Sequence, residues 1–493
     1  MNEPYILAID VGTTAVKVVL FNTRGCPAGC RVCEYVLDKP CPDYVEVDPE
    51  VYWRAAADGI AGILRDTGVS PDRIKAVGVT SQGETLIVLD RNGRPLRKAM
   101  VWLDNRAGAE AAQIAGRFSR EEVYRVTGQQ DIVPTWTAAK ILWIRNHEPA
   151  VFARVAKFLL VEDYLIYRLT GVFATDHALN PSTLYYDLVK GCWWPEMLDF
   201  LGITAAQLPE LHNSGAVAGH VTAELGLARD TVVTVAPIDQ VAAAVGAGNF
   251  APGAVTETTG SAMAICATLD HPGYDPQMQI GLYRHALPGR YILMPWVPTA
   301  GMVFRWFRDE LGNGDDYSAL AQLAAAVPPG SDGLLLLPHL SGAFCPEVNP
   351  AARGVFYGIT PAHTRGHFVR AIFEAVAFML RDNLTVLERL GVNCREVRSL
   401  GGAARNPLWL QIKADVLNRP VKVPAEVETT GMGTAMLAAV GAGLFASVTE
   451  AAAAMNAVVR EFEPQPETAA IYADCYRKYL QINKLLLPTF GNG

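Results

Sequence analysis

The stretch Ile6-Leu7-Ala8-Ile9-Asp10-Val11-Gly12-Thr13-Thr14-Ala15-Val16-Lys17 constrains this chain more than any other. Ile6 to Ile9 is a short apolar run, the pattern of a buried strand. The run ends at Asp10, Val11-Gly12-Thr13-Thr14 turns the backbone, and apolar residues resume at Val16, Val18, Val19, Leu20 and Phe21. Such a hairpin carries hydroxyls and free amides at its tip. Gly12 lets a ligand approach the backbone closely. The amides and the Thr13 and Thr14 hydroxyls can take phosphate oxygens, Asp10 can hold a hydrated Mg²⁺, and Lys17 adds positive charge. An ordinary Gly-Thr turn has the same appearance, so the stretch alone leaves both readings open.

A chain of 493 residues, half of them apolar, predicts two or three globular domains. The net charge of -8 offers no electrostatic footprint for nucleic acid. No apolar run reaches the length of a membrane span, and the N-terminus lacks the basic and apolar segments of a signal peptide. Nine cysteines without a secretion signal predict free thiols in a reducing, cytoplasmic compartment. Cys26, Cys30 and Cys33 are spaced C-x3-C-x2-C, with Cys41 following. That spacing is used by cluster-binding radical enzymes that employ S-adenosylmethionine, but no βα-barrel pattern surrounds it here. A strand that carries thiols is the reading adopted.

Asp48 and Pro49 read as the N-cap and first residue of a helix carrying Val51, Trp53, Ile60 and Ile63. Ile74 to Thr80 reads as a strand ending in Ser81-Gln82-Gly83-Glu84-Thr85, followed by a strand from Leu86 to Leu89. The middle, from about Thr135 to Pro209, reads as mostly helical. A further strand, Thr231 to Ala236, leads through Pro237-Ile238-Asp239-Gln240 into a helix of small residues, and Gly246, Gly248 and Pro252-Gly253 break the chain. Strands alternating with helices predict an α/β fold. The break divides the chain into domains 1–247 and 248–493.

The second half opens like the first. Ala254 to Thr258 and Ala262 to Ala267 read as strands around Thr259-Gly260-Ser261, a second hairpin with hydroxyls and glycine at its tip. Glu396 to Leu400 reads as a strand entering Gly401-Gly402-Ala403-Ala404-Arg405-Asn406, where glycines allow a flat ligand to lie on the backbone. Thr429 to Ala435 starts a small-residue helix expected beneath that position, and Glu467 to Leu487 reads as a terminal amphipathic helix.

Two motifs carry a resemblance. Gly354-Val355-Phe356-Tyr357-Gly358-Ile359, followed by His367-Phe368-Val369-Arg370-Ala371-Ile372-Phe373-Glu374, resembles a signature of the FGGY carbohydrate kinases. Thr137-Ala138-Ala139-Lys140-Ile141-Leu142-Trp143-Ile144-Arg145-Asn146-His147 is similar to a second, although Thr135 departs from its usual first residue. The opening hairpin resembles the phosphate hairpin shared by sugar kinases, Hsp70 and actin.

The resemblance implies two ribonuclease H-like domains with a catalytic cleft between them, and MgATP-dependent phosphorylation of a sugar or polyol hydroxyl. It implies Asp239 as catalytic base and Asp10 as metal ligand. Thr13, Thr14 and Lys17 would hold the γ- and β-phosphates, with Thr259, Gly260 and Ser261 from the second domain. Gly301 would lie near the α-phosphate, and Gly402, Ala403 and Asn406 would form the adenosine pocket. Closure would exclude water as a competing acceptor. The resemblance is compatible with a homodimer.

The acceptor is expected against Gln82, Gly83, Glu84, Trp102, Asp104, Asp239 and Gln240. Gln82-Gly83-Glu84-Thr85 resembles a glycerol kinase stretch whose Arg-Glu pair binds the polyol, with Gly83 at the Arg position. Trp102-Leu103-Asp104-Asn105-Arg106 resembles the Trp-x-Asp-x-Arg segment of xylulokinases and gluconokinases. Gly83 in place of Arg would leave room for a longer substrate. The expected acceptor is therefore a ketopentose such as xylulose, with glycerol or gluconate next. An ATPase-driven binding module like Hsp70 or actin is the reading from a different class.

Overall fold

A computed structural model describes residues 3–491. The chain forms two compact units, each discontinuous in sequence. The first comprises the chain up to Phe250 with Asp270–Ile292 and Thr429–Ala457; the second comprises Ala251–Leu269, Leu293–Glu428 and the chain from Val458.

The first unit is built on a six-stranded sheet in the order Val217–His220, Val232–Val235, Ile74–Ser81, Tyr5–Val11, Ala15–Asn22, Pro27–Glu34. Tyr5–Val11 pairs antiparallel with Ala15–Asn22 and parallel with Ile74–Ser81, which is itself parallel to Val232–Val235. Ile6, Leu7, Ala8 and Ile9 are fully buried, as a central strand covered on both faces requires. The Pro49–Thr67 helix covers one face; the Asp48 side chain accepts from the Glu50 amide at its start, and Gly68 ends it in the left-handed region.

The second unit repeats the pattern. Val255–Thr259 pairs antiparallel with Met263–Leu269 and parallel with Val397–Leu400. Val397–Leu400 is parallel to Val421–Pro424, which pairs antiparallel with Val458–Phe462. In both units an antiparallel hairpin is followed by two parallel strands and an antiparallel one. The echo of the two hairpins in sequence is thus an echo of whole sheets.

Thr429–Gly441 departs from its expected place. Instead of lying beneath the Gly401-Gly402 turn, it packs in the first unit against Asp239–Gly246, Tyr5–Val11 and Ile74–Ser81. Small residues explain the match. A Cβ on Gly433 would lie 1.9 Å from the Ala242 carbonyl oxygen, and one on Gly246 would lie 2.1 Å from that of Thr429. Only glycine permits two helix backbones to approach so closely.

Cys30 and Cys33 lie on the edge strand Pro27–Glu34. An odd separation along a strand turns their side chains to opposite faces. Among the described residues no group of three or more His, Cys, Asp or Glu could hold a metal ion, and no helix is long and apolar enough to cross a membrane.

The first unit also buries three carboxyl groups. Glu162, Asp163 and Asp176 are 0%, 2% and 0% exposed. Glu162 accepts from the Ala236 amide at 3.0 Å, Asp163 from Leu160 at 2.8 Å and Asp176 from Ala178 at 2.6 Å. Burial raises all three, Asp163 and Asp176 to about 7. A carboxyl raised by folding stabilises the fold fully below its unfolded value near 4, and this contribution is lost as pH rises through about 7. Asp176→Asn imitates the protonated acid. The unfolding midpoint of this variant relative to the parent should rise between pH 5 and 8, by on the order of 2–4 kcal/mol in stability. A difference that is flat with pH, measured by thermal unfolding, would exclude a protonated Asp176.

Candidate functional site

In the first unit, Asp10 sits at the end of the central strand, directly opposite Lys17 on one neighbour and Thr80 on the other. Opposed residues share a face, so the Asp10 and Lys17 side chains rise together beside the turn. The Gly12 amide donates to the Ala15 carbonyl at 3.0 Å and closes the turn. Tyr35 braces it twice: its amide donates to the Thr14 carbonyl at 2.9 Å, and its hydroxyl donates to the Gly12 carbonyl. Thr14 is exposed at the tip and Thr13 is half-buried.

The Val232–Val235 strand delivers Asp239 to the first position of the Asp239–Gly246 helix. Its Oδ1 accepts from the Gln240 amide at 2.8 Å. Burial, then the nearby charge of Asp10 and that of Glu84, push the Asp239 carboxyl well above the usual carboxylate range. The carboxylates of residues 10, 84 and 239 therefore share one electrostatic site.

Glu84 adopts φ +57°, in the left-handed region that a non-glycine residue enters at a cost. Burial raises its carboxyl, opposed by the Ser182 hydroxyl and the Lys140 ammonium. Gln82 is 5% exposed, and its Oε1 has no hydrogen-bond partner. An orphaned buried acceptor suits a ligand hydroxyl. The Trp102 indole N–H donates to the Thr13 hydroxyl at 3.0 Å, tying the Trp-x-Asp segment to the first hairpin.

Two acceptor-side expectations need correction. Asp104 is fully buried. It receives the Arg106 guanidinium on both oxygens, and Oδ2 also accepts from the Val45 amide at 2.7 Å. Asp104 is thus taken up by Arg106 and Val45 and has no oxygen to offer a substrate. Gly83 does not open the pocket either. A Cβ there would meet the Ile238 Cδ1 at 2.9 Å and the Ser182 hydroxyl at 3.3 Å, so the volume vacated by an arginine is already filled.

The second unit holds a cavity of about 710 Å³, large enough for a nucleoside. Thr259, Gly260, Ser261, Gly301, Gly402, Ala403 and Asn406 all line it. A Cβ on Gly402 would meet nothing within 4 Å, so packing alone does not require glycine, whereas a ligand lying on the backbone would. Asn406 caps the Pro407–Leu417 helix by accepting from the Trp409 amide at 3.2 Å.

Thr259 and Gly301 act differently from expectation. The Thr259 side chain turns inward, its hydroxyl donating to Glu257 at 2.6 Å and accepting from Lys413 at 3.2 Å. The Gly301 amide donates to the Gly260 carbonyl at 2.9 Å, and a Cβ would lie 2.3 Å from that oxygen. Gly301 therefore seats its helix on the hairpin rather than offering its N–H to a phosphate. The exposed tip is Gly260 and Ser261.

Sequence reasoning missed Phe304, Arg305, Tyr317 and Gln322 of the cavity wall, which come from the Gly301–Leu311 and Tyr317–Ala325 helices, and Pro407, Leu408 and Trp409 at the start of the Pro407–Leu417 helix. No motif marked them. It also missed the ion pair beneath the hairpin, where Lys413 meets Glu257 at 2.5 Å with 1% and 0% of their side chains exposed.

The FGGY family of carbohydrate kinases, N-terminal domain, matches residues 5–246, and the C-terminal domain of the same family matches residues 255–442. The xylulose kinase of Bacillus subtilis is 30% identical over 483 residues, covering 97% of this chain and 96% of that protein. The glycerol kinase of Citrifermentans bemidjiense is 34% identical over 475 residues, covering 94% and 95%. A ligand-bound xylulose kinase structure from Lactobacillus acidophilus superposes with a TM-score of 0.90 at 27% identity, covering 99% of each chain. With hairpins, carboxylates and nucleoside-sized cavity arranged as described, and with both family domains matched in order, the chain belongs to the FGGY family of carbohydrate kinases, two-domain phosphotransferases of the actin and Hsp70 fold type.

Proposed function

We propose that this chain transfers the γ-phosphoryl group of ATP to a terminal hydroxyl of a ketopentose such as xylulose. One observation carries the reading: parallel strand pairing brings the segments bearing Asp10, Glu84 and Asp239 to one end of the first unit's sheet, where burial and the charges of Asp10 and Glu84 make the Asp239 carboxyl more basic. A general base works best when its pKa approaches the working pH. Asp239 takes the proton of the acceptor hydroxyl as that oxygen bonds to the γ-phosphorus and the bond to the leaving ADP oxygen breaks. Glu84 and the orphaned Gln82 oxygen orient the acceptor hydroxyls, and the Trp102 ring offers its face to C–H groups.

The first unit is assigned the acceptor and base, with Thr13, Thr14 and Lys17 toward the phosphates. The second is assigned the nucleoside, with Gly260 and Ser261 toward the phosphates. Asp10 supplies hard oxygen donors, and among the described residues no protein cage completes them, the pattern that suits a hydrated Mg²⁺ completed by substrate phosphates. Bound there, Mg²⁺ would neutralise phosphate charge. Xylulose ranks first because the Trp-x-Asp-x-Arg segment is present and the full-length similarity to xylulose kinases supports it. Glycerol is the second reading, favoured by the retained Glu84, and gluconate the third.

The test is ADP release with MgATP against xylulose, ribulose, glycerol and gluconate. Xylulose should give the highest kcat/KM; a preference for glycerol or gluconate transfers the assignment to them, and turnover indifferent to all four removes the kinase reading of the site. Asp239→Asn should lower kcat by about 10²–10⁴ while leaving the ATP Kd unchanged. In the parent, kcat/KM should fall with decreasing pH at a value above the ordinary carboxylate range, because the base must be ionised to act. Lys413→Met should destabilise the second unit by about 3–5 kcal/mol and weaken ATP binding, because Glu257 is left buried and unpaired. Glu257→Gln/Lys413→Met should regain most of that loss in thermal unfolding.

A further inference from the structure

We propose that Lys140 is a positioning residue of the acceptor site, its ammonium strapping the carbonyls of Glu84 and Val101 together so that Glu84 and Trp102 face the acceptor in fixed relation. The inference rests on the acceptor lying at Glu84, as proposed above.

Lys140 belongs to the Thr137–His147 helix and is completely buried. Its Nζ donates to the Glu84 carbonyl at 2.9 Å and to the Val101 carbonyl at 2.8 Å. These carbonyls belong to two segments that run side by side. Leu86 and Met100 exchange amide-to-carbonyl bonds at 3.0 Å each way, and the Trp102 amide donates to the Thr85 hydroxyl at 3.1 Å. Beyond that bridge regular pairing stops, and Glu84 turns into the left-handed region at φ +57°. A residue held there needs its surroundings to over-determine it. The turn itself supplies one bond, from the Thr85 amide to the Gly83 carbonyl at 2.7 Å. The Lys140 bond to the Glu84 carbonyl supplies another, and its bond to Val101 carries the constraint across to the residue before Trp102.

The charges around Lys140 agree with this role. Glu84, Asp104 and Arg106 face it. Asp104 and Arg106 pair at 2.7 Å, so the Glu84 carboxylate is the counter-charge left for the ammonium. Burial lowers Lys140 to about 7. An uncharged amine still carries two N–H donors, one for each carbonyl, so the strap survives loss of the proton.

The test compares Lys140→Met, Lys140→Gln and Lys140→Arg with the parent in steady-state kinetics with xylulose and MgATP, counting a variant as folded when its ATP Kd stays within twofold. Lys140→Met, which has no donor, should raise the xylulose KM on the order of tenfold to a hundredfold with the ATP KM unchanged. Lys140→Gln and Lys140→Arg, which keep donors, should lie between it and the parent. A folded Lys140→Met with an unchanged xylulose KM overturns the proposal, as does loss of ATP binding in all three variants, which would make the lysine a folding element only. Glu84→Gln separates this inference from the reading beneath it. If Glu84→Gln raises the xylulose KM and Lys140→Met does not, the strap alone fails. If Glu84→Gln shifts only the ATP KM, the acceptor site itself is misplaced.

Discussion

A cation sealed from water has to be met by oxygen atoms of the protein, and this chain places such cations behind its recognisable motifs. Lys140 meets the carbonyls of Glu84 and Val101. Lys413 meets Glu257 and the Thr259 hydroxyl. Arg370 meets Glu374 at 3.0 Å, the Val327 carbonyl at 2.8 Å and the Tyr472 hydroxyl at 2.8 Å. Because a buried charge left without partners is so costly, each cation fixes the segments that supply its oxygens. The first holds the Glu84 turn and the second the second hairpin. The third holds the core of the second unit, where Glu374 also accepts from the Gly330 amide.

This explains why the most diagnostic motifs lie beside the chemistry rather than within it. Arg370 and Glu374 belong to a family signature, yet both are buried in the Arg365–Arg389 helix and bonded to each other. Lys140 belongs to the other signature, and its hydrogen bonds go to the backbone carbonyls of Glu84 and Val101. The groups assigned to the reaction sit instead at strand ends and hairpin tips, where the duplicated sheet brings backbone amides and carboxylates to its edge. The parallel pairing of Tyr5–Val11 with Ile74–Ser81, and of Ile74–Ser81 with Val232–Val235, brings the segments bearing Asp10, Glu84 and Asp239 to the same end of one sheet.

Several residues were legible by type but not by task. Asp104, Thr259 and Gly301 belong to segments that the sequence singles out, and each is turned toward the protein. Asp104 is taken by Arg106 and Val45, Thr259 by Glu257 and Lys413, and Gly301 by the Gly260 carbonyl. Motif spacing records which residues a segment carries; it does not record which way a side chain rotates once a buried partner arrives from far along the chain. Lys413 lies 156 positions from Glu257, and nothing near either residue announces the other. The Thr429–Gly441 helix was legible as a helix of small residues, but its partner was not, because glycine signals close approach without naming what approaches.

By itself, the sequence determined the alternation of strands and helices, both hairpins, the helix caps at Asp48 and Pro49 and the family, because periodicity, turn chemistry and motif order are local properties of the chain. Tertiary structure alone decided that the segments bearing carboxyl groups 10, 84 and 239 meet at one end of a sheet, that Ile238 and Ser182 fill the space beside Gly83, and that buried lysines brace the Glu84 turn and the second hairpin. Those facts depend on the field and the volume that residues distant in sequence create for one another, and neither exists until the chain has folded.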